Sequence, residues 1–466
     1  MRYPLFGFGQ TGKSRAVTTE SRKNFYAEVT DKPDKSVIAL YGRWGLDLFA
    51  SFGDTPIRGE GIQIGDFNYT VHRGVLKETN NAAVSTDRGT LTTTSGVVSM
   101  CTDGNIIFIV DGVNGYVYNT TTTVFTQVSD VDFVPAVTCT WIDGYFIADM
   151  RGSTDRADWR SYQWSTDGLT WDGLDFASAE ASPDPIERAY NDNRQLILFG
   201  SVTTEFHNVS GNFEEPFTRS ATNEWGLAAK WSVSKIKDSI IYLGQNRMGK
   251  TQIIVLNGYT PQIVSNYEMS SIIDGYGDVS NAVGHSFMEG GHPFYVITFP
   301  NVMKTWLFDA ATGLFSELTS GITEGQYRGL FSNNYLGNTL IYDFENGNIY
   351  KTNPDSYTDN GLMIVGELIS RHMFEQDYVF LSELWIDMEV GVGLSTGQGS
   401  DPQIMLQVSK DGGMTYGNER WRSFGRIGKY LTRAIWYRLG RSRDFTFKAR
   451  ITDPVRRTIV GAWTKM

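Results

Sequence analysis

The chain has 466 residues, of which 41% are hydrophobic and 20% charged, and a formal net charge of -11. No stretch approaches the ~18 uninterrupted apolar residues of a membrane helix, and the acidic balance disfavours a general DNA-binding role. Cys101 and Cys139 are the only cysteines, which excludes a disulfide framework or a four-cysteine zinc site and fits folding in a reducing cytoplasm.

From the first residues no secretory signal is expected, because one early basic residue is followed by no apolar run. Gly7, Gly12, Lys13 and Ser14 satisfy G-x-x-x-x-G-K-S, the loop that cradles phosphates. That loop needs a buried strand before it and a helix after it. Here Pro4 lies just upstream, and residues 15–24 are β-branched and charged with no apolar helical face. The match is read as chance, and no cofactor is expected. Residues 1–58 read as an extended arm whose apolar clusters, 24–26 and 46–49, need somewhere to dock.

Between residues 59 and 355 one unit recurs: a short apolar strand, a polar turn, and a second strand with an aromatic or branched centre. The anchors Tyr69, Tyr116, Tyr162, Phe206, Ile254, Trp306 and Ile349 are spaced by 47, 46, 44, 48, 52 and 43 residues. Periods of ~40–50 residues made of short strands are the mark of propeller blades, each of which buries its faces only against its neighbours. The expectation is an all-β chain with a β-propeller of six or seven blades; two stacked β-sandwiches are the alternative. Sixty-two aromatics, 49 glycines and only 13 prolines agree with sheet joined by tight turns. Asp103-Gly104, Asp143-Gly144, Asp167-Gly168 and Asn257-Gly258 read as hairpin turns. No amphipathic stretch of helical length stands out, the nearest being 221–234.

After residue 361 the period lapses. Residues 362–466 read as a separate, sandwich-like β module with a Gly- and Ser-rich loop at 391–402. Residues 401–466 hold 14 basic against 5 acidic residues, or +9, which leaves 27 against 47, or -20, for residues 1–400. Arg420, Arg422, Arg426, Lys429, Arg433, Arg438, Arg441 and Arg443 are interleaved with Trp421, Phe424, Tyr430 and Trp436. Such a mix can stack bases and hold phosphates, but arginine and aromatics are also what protein interfaces concentrate. A subunit or ring interface is the preferred reading.

Ser409-Lys410-Asp411-Gly412-Gly413-Met414-Thr415-Tyr416 fits the S-x-D-x-G-x-T-aromatic hairpin, or Asp-box, and Ser165-Thr166-Asp167-Gly168-Leu169-Thr170-Trp171 is a shorter relative. These turns are similar to those of sialidases, which raises a propeller glycoside hydrolase or glycan-binding protein as the alternative function. The box is a fold element, and no acid pair can be picked from 52 carboxylates. His72, His207, His285, His292 and His372 show no ligand spacing, and neither a serine elbow nor a catalytic cysteine signature is present, so no metal and no catalytic residue are expected.

Three stretches resemble the tail-hub or nozzle family of short-tailed bacteriophages (podoviruses), the packaged-DNA stabilisation proteins. They are Arg22–Glu28 with 39–49 and Pro56-Ile57-Arg58-Gly59; Val408–Gly417; and, most specifically, Trp436–Pro454. Trp44 stands where the family more often has proline. The resemblance implies a non-enzymatic virion protein in the phage tail: a homo-hexameric ring of propeller subunits below the portal adaptor ring. Its implied partners are a tail needle or plug and tail fibres or spikes. Its channel retains packaged DNA and later conducts it out during genome ejection, without sequence specificity. An acidic body suits a conduit, since each lumen-facing Lys or Arg would add counterion-release affinity.

Overall fold

Each period of the sequence becomes one antiparallel sheet in a computed structural model that describes residues 2–3, 9, 12–29 and 37–465. In chain order the blades are 62–90, 99–127, 139–178, 186–223, 226–263, 283–320 and 329–353. Six of them, blades 1–5 and 7, belong to sheets of their own, and blade 6 is continuous with a larger sheet that enters the C-terminal domain. The ring therefore counts seven blades, the upper of the two expected numbers. It closes where Asn333 and Tyr335 of blade 7 donate hydrogen bonds to Asn68 Oδ1 (2.8 Å) and the Asp66 carbonyl (2.6 Å) of blade 1.

The second strands of the blades, such as Gln195–Gly200, Ser239–Gln245 and His292–Phe299, are buried almost throughout. A central strand covered on both faces has no solvent side to alternate with, which is why these read as continuous apolar runs. At the 143–144 turn Asp143 and Gly144 both take positive φ, 50° and 92°, as a two-residue primed turn requires.

The described residues of the segment read as an arm are folded into both domains. Gly45–Ser51 pairs with Asn348–Asn353 as the outer strand of blade 7, so the two ends of the repeat close one blade together. Phe25–Val29 and Ile38–Gly42 form a hairpin on the C-terminal domain. Residues 221–234, the nearest helical candidate, hold the end of one strand and the start of blade 5. Among the described residues the α-helix is instead Tyr267–Asp274, between blades 5 and 6, with Asn266 Oδ1 accepting from the Met269 amide at 2.8 Å. It buries only Met269 and Ile273. Eight residues are fewer than the window in which helical periodicity registers.

The C-terminal domain is a sandwich organised by two long strands, Met373–Met388 and Ala434–Ile451. The first part of Ala434–Ile451 pairs with Met373–Met388; the last part pairs with Gly366–Ile369 and Gln403–Ser409, so one strand serves both sheets. Register shifts near Leu381 and Phe374 twist the pair enough for that switch. Trp436, Phe445, Phe447, Leu384 and Leu406 fill the space between the sheets.

Ser21–Lys23 joins the domains, running antiparallel to Gly366–Ile369 and parallel to blade 6 through Lys23 and Glu317. Beside it lies a buried polar network. Asn24, at φ 56°, donates through Nδ2 to Thr319 Oγ1 and the Val365 carbonyl, both at 2.8 Å. Arg43 donates to Asn24 Oδ1 (2.9 Å) and forks onto Asp359 at 2.8 and 2.6 Å. Burial lowers the Arg43 pKa, and Asp359 more than reverses that. Arg457 is equally buried, yet among the described residues it donates only to the Ile364 carbonyl (2.9 Å), and its Nε and one terminal nitrogen find no partner there. Burial, with Arg43 nearby, pushes its pKa down to about 10.

Candidate interaction surface and propeller channel

Arg420, Arg422, Arg426, Lys429, Arg433, Arg438, Arg441 and Arg443 are all exposed on the C-terminal domain. Antiparallel pairing sets Phe380 opposite Arg441 and Val379 opposite Ser442, so the outward face of the long strands alternates aromatic and guanidinium. Arg441 lies 4.8 Å over the Tyr378 ring and 5.8 Å over Phe380, and Arg443 lies 5.1 Å over Tyr378. Tyr378 and Phe380 are 55% and 66% exposed, and Phe374 is exposed on the same strand. Arg433 stacks over Trp385 at 5.6 Å, and Arg426 reaches Asp401 at 3.5 Å. Arg420 and Arg422 hydrogen-bond backbone carbonyls of Ala434–Ile451, and Arg438 takes a left-handed φ of 57° where the register shifts. Stacked on rings, Arg433, Arg441 and Arg443 keep their charge available to an outside partner.

Of the four interleaved aromatics only Trp421 and Tyr430 are exposed; Phe424 and Trp436 belong to the core. Phe374, Tyr378 and Phe380 escaped the sequence reading. Val379 and Leu381 face the core, and the strand's period of two leaves Tyr378 and Phe380 on the other side.

Inner strands of successive blades converge on a cavity of about 120 Å³ in the propeller axis, lined by Glu60, Ser99, Cys101, Cys139, Arg188, Tyr190, Trp231 and Phe331 among others. Arg188 sits 3.9 Å from Glu60 and lies over Tyr190 (5.4 Å) and Trp231 (5.5 Å). Burial raises the Glu60 pKa, and Arg188 opposes that rise. Glu60 is the one carboxylate among these lining residues, whereas glycoside hydrolysis uses two.

The remaining motifs have local work. In the 409–416 turn Ser409 Oγ bonds Asp411 (2.6 Å) and accepts from the Gly413 amide (2.8 Å), while Asp411 accepts from the amides of Met414 and Thr415. Those hydrogen bonds hold the Asp411 carboxyl well below the usual range. The 165–171 turn repeats the pattern, and its Trp171 packs on Phe108 and Phe133. Arg58 spends its guanidinium on the carbonyls of Arg73, Thr93, Ser95 and Gly96, clamping one loop of blade 1. Gly12, Lys13 and Ser14 lead into a turn at 15–17 and then the strand Ser21–Lys23, not a helix; Gly7 lies outside the described residues. The histidines are dispersed: His207 meets Glu205, His292 meets Asp309, His372 meets Asp444, His72 meets Thr55 and His285 meets the Leu330 carbonyl.

Direct comparison with curated proteins finds no sequence match. Among solved structures, a chain from an S. cerevisiae complex of Dbp5, Nup159, Gle1, IP6 and ADP is 8% identical, with 71% of this chain and 98% of that one covered and a TM-score of 0.41. The N-terminal domain of Nup159 gives 9%, 72%, 99% and 0.39, and PorZ of Porphyromonas gingivalis 10%, 73%, 44% and 0.37. At these values the likeness carries no functional inference. The sequence profiles of one family do match: its propeller over residues 10–357 and its β-sandwich over 367–466. Propeller and sandwich both being accounted for, the chain belongs to the phage-stabilisation family of bacteriophage P22 Gp10.

Proposed function

We propose that this chain is a non-enzymatic structural protein of a short-tailed phage tail, a hub or nozzle that stabilises packaged DNA and forms part of its exit channel. In that reading it assembles as a homo-hexameric ring under the portal adaptor ring and carries a tail needle or plug and fibres or spikes. The observation that carries it, beyond family membership, is the segregation of charge: -20 over residues 1–400, and +9 over residues 401–466 with the eight basic side chains exposed. An acidic surface facing an exposed arginine and aromatic face favours association of like subunits and lets DNA pass without sticking. Arg188, Tyr190 and Trp231 stand against one another in the axial space. The DNA path in this proposal therefore runs between subunits.

Light scattering and negative-stain imaging of the purified chain, or of virions, test the reading. A ring near six subunits is expected, and Arg441→Glu with Arg443→Glu is expected to shift it toward monomer without changing the melting temperature. A compact monomer at all concentrations, or tight DNA binding with a steep salt slope lost in Arg441→Ala, overturns it.

A further inference from the structure

The two cysteines lie 38 residues apart in sequence but on the first strands of neighbouring blades, Ser99–Thr102 of blade 2 and Cys139–Ile142 of blade 3. Ser99 fixes their approach: its Oγ accepts from the Cys139 amide at 3.1 Å, and Ser99 and Cys101 share one face of their strand. Cys139 Sγ is 3.6 Å from Ser99 Oγ and 3.8 Å from the carbonyl of Phe108, the residue opposite Cys101 in register. The two thiols belong to one buried cluster around Phe108. Both are free and nearly buried, and both line the axial cavity beside Glu60 and Arg188.

We infer that Cys101 and Cys139 are an oxidisable pair that closes to a disulfide across the seam between blades 2 and 3 when hydrogen peroxide enters the propeller axis. One thiolate attacks a peroxide oxygen, the O–O bond breaks, and a sulfenic acid forms while the departing hydroxide takes a proton to become water. The second thiol attacks the sulfenic sulfur, the S–S bond forms, the S–OH bond breaks, and its proton leaves with that oxygen as a second water. The two sulfurs lose two electrons and the two peroxide oxygens gain them. Burial and the neighbouring Cys139 push the Cys101 thiol well above its ordinary pKa, so thiolate is scarce at neutrality and closure quickens with rising pH. The chain is thus foldable with free thiols in a reducing cell and stapled between two blades once outside it. This holds whatever ring the subunit enters.

Full-length protein treated with hydrogen peroxide, then denatured and alkylated with a maleimide, tests the pairing. The titre is expected to fall from two thiols per chain to none. A non-reduced peptide map should join the peptide of Cys101 to that of Cys139 with the loss of two hydrogens, and a dithiol should restore both. The melting temperature of the wild type should rise on oxidation, while that of Cys101→Ser should not respond. Two thiols still titratable after peroxide, separate sulfinic acids with no joined peptide, or a joined peptide found only between different chains overturns the inference.

Discussion

Blade meets blade through apolar side chains, whereas propeller meets sandwich through buried charge. Between blades 4 and 5, Phe199 and Tyr242 lie 5.0 Å apart among Ile197, Phe206, Ile240 and Ile254. Between the domains the corresponding space holds Asn24, Arg43, Asp359 and Arg457, all essentially dry. An apolar seam loses stability in proportion to the atoms removed. A polar one depends on every partner being present, because a group left unpaired in the interior keeps its full desolvation cost. The blade seams tolerate variation in a repeat, and the domain seam fixes one relative placement.

Removing one partner from the polar seam is the largest test. Arg43→Met leaves Asp359 buried with Ser320 Oγ at 2.6 Å but without its hydrogen-bonded cation, and a loss of about 3–5 kcal/mol is expected in denaturant unfolding. Adding Asp359→Leu should recover much of that loss; no recovery would mean that the seam is held by packing and not by charge. Arg457 behaves oppositely, since its guanidinium is buried with two nitrogens unpartnered among the described residues. Arg457→Met should stabilise the protein by about 1–3 kcal/mol, and a destabilisation of that size would show that the guanidinium is satisfied in solution.

The smallest effect concerns a titratable group inside a blade seam. His285 of blade 6 donates from Nδ1 to the Leu330 carbonyl at 3.0 Å, and burial pushes its pKa down to about 4. The unfolded chain, with an ordinary histidine pKa of about 6.5, binds the proton first. Stability from this group is complete above that pKa and is lost as pH falls from about 6.5 toward about 4. Between pH 8 and pH 5.5 the share of His285 is about 1 kcal/mol. Melting curves of His285→Gln should be flatter than wild type over that range; identical slopes would place the proton elsewhere.

The same contrast explains how much of the fold could be read in advance. Six of the seven anchors, Tyr116 through Ile349, fall on the third strand of their blades, because repetition of a covered sheet repeats its composition. Tyr69 falls on a second strand, since the third strand of blade 1, Val75–Asn80, carries Leu76 and threonine in place of an aromatic. Arg43 and Arg457 gave no signal: a basic residue near a chain end reads as solvated, and its burial depends on carboxylate and carbonyl groups brought from far along the chain. The eight exposed basic residues were legible as a cluster. The stacking of Arg441 and Arg443 on Tyr378, and of Arg441 on Phe380, was not, because strand pairing created it.

The amino-acid sequence by itself determined the β character, the blade period and the division of charge, since these follow from local pattern and composition. Tertiary structure alone decided that Gly45–Ser51 completes blade 7, that Ser21–Lys23 and the strands Phe25–Val29 and Ile38–Gly42 bind the two domains, and that Cys101 and Cys139 share one cluster. Each is a contact between segments distant in sequence, fixed by ring closure and by the need to pair buried polar groups, and no local pattern encodes either.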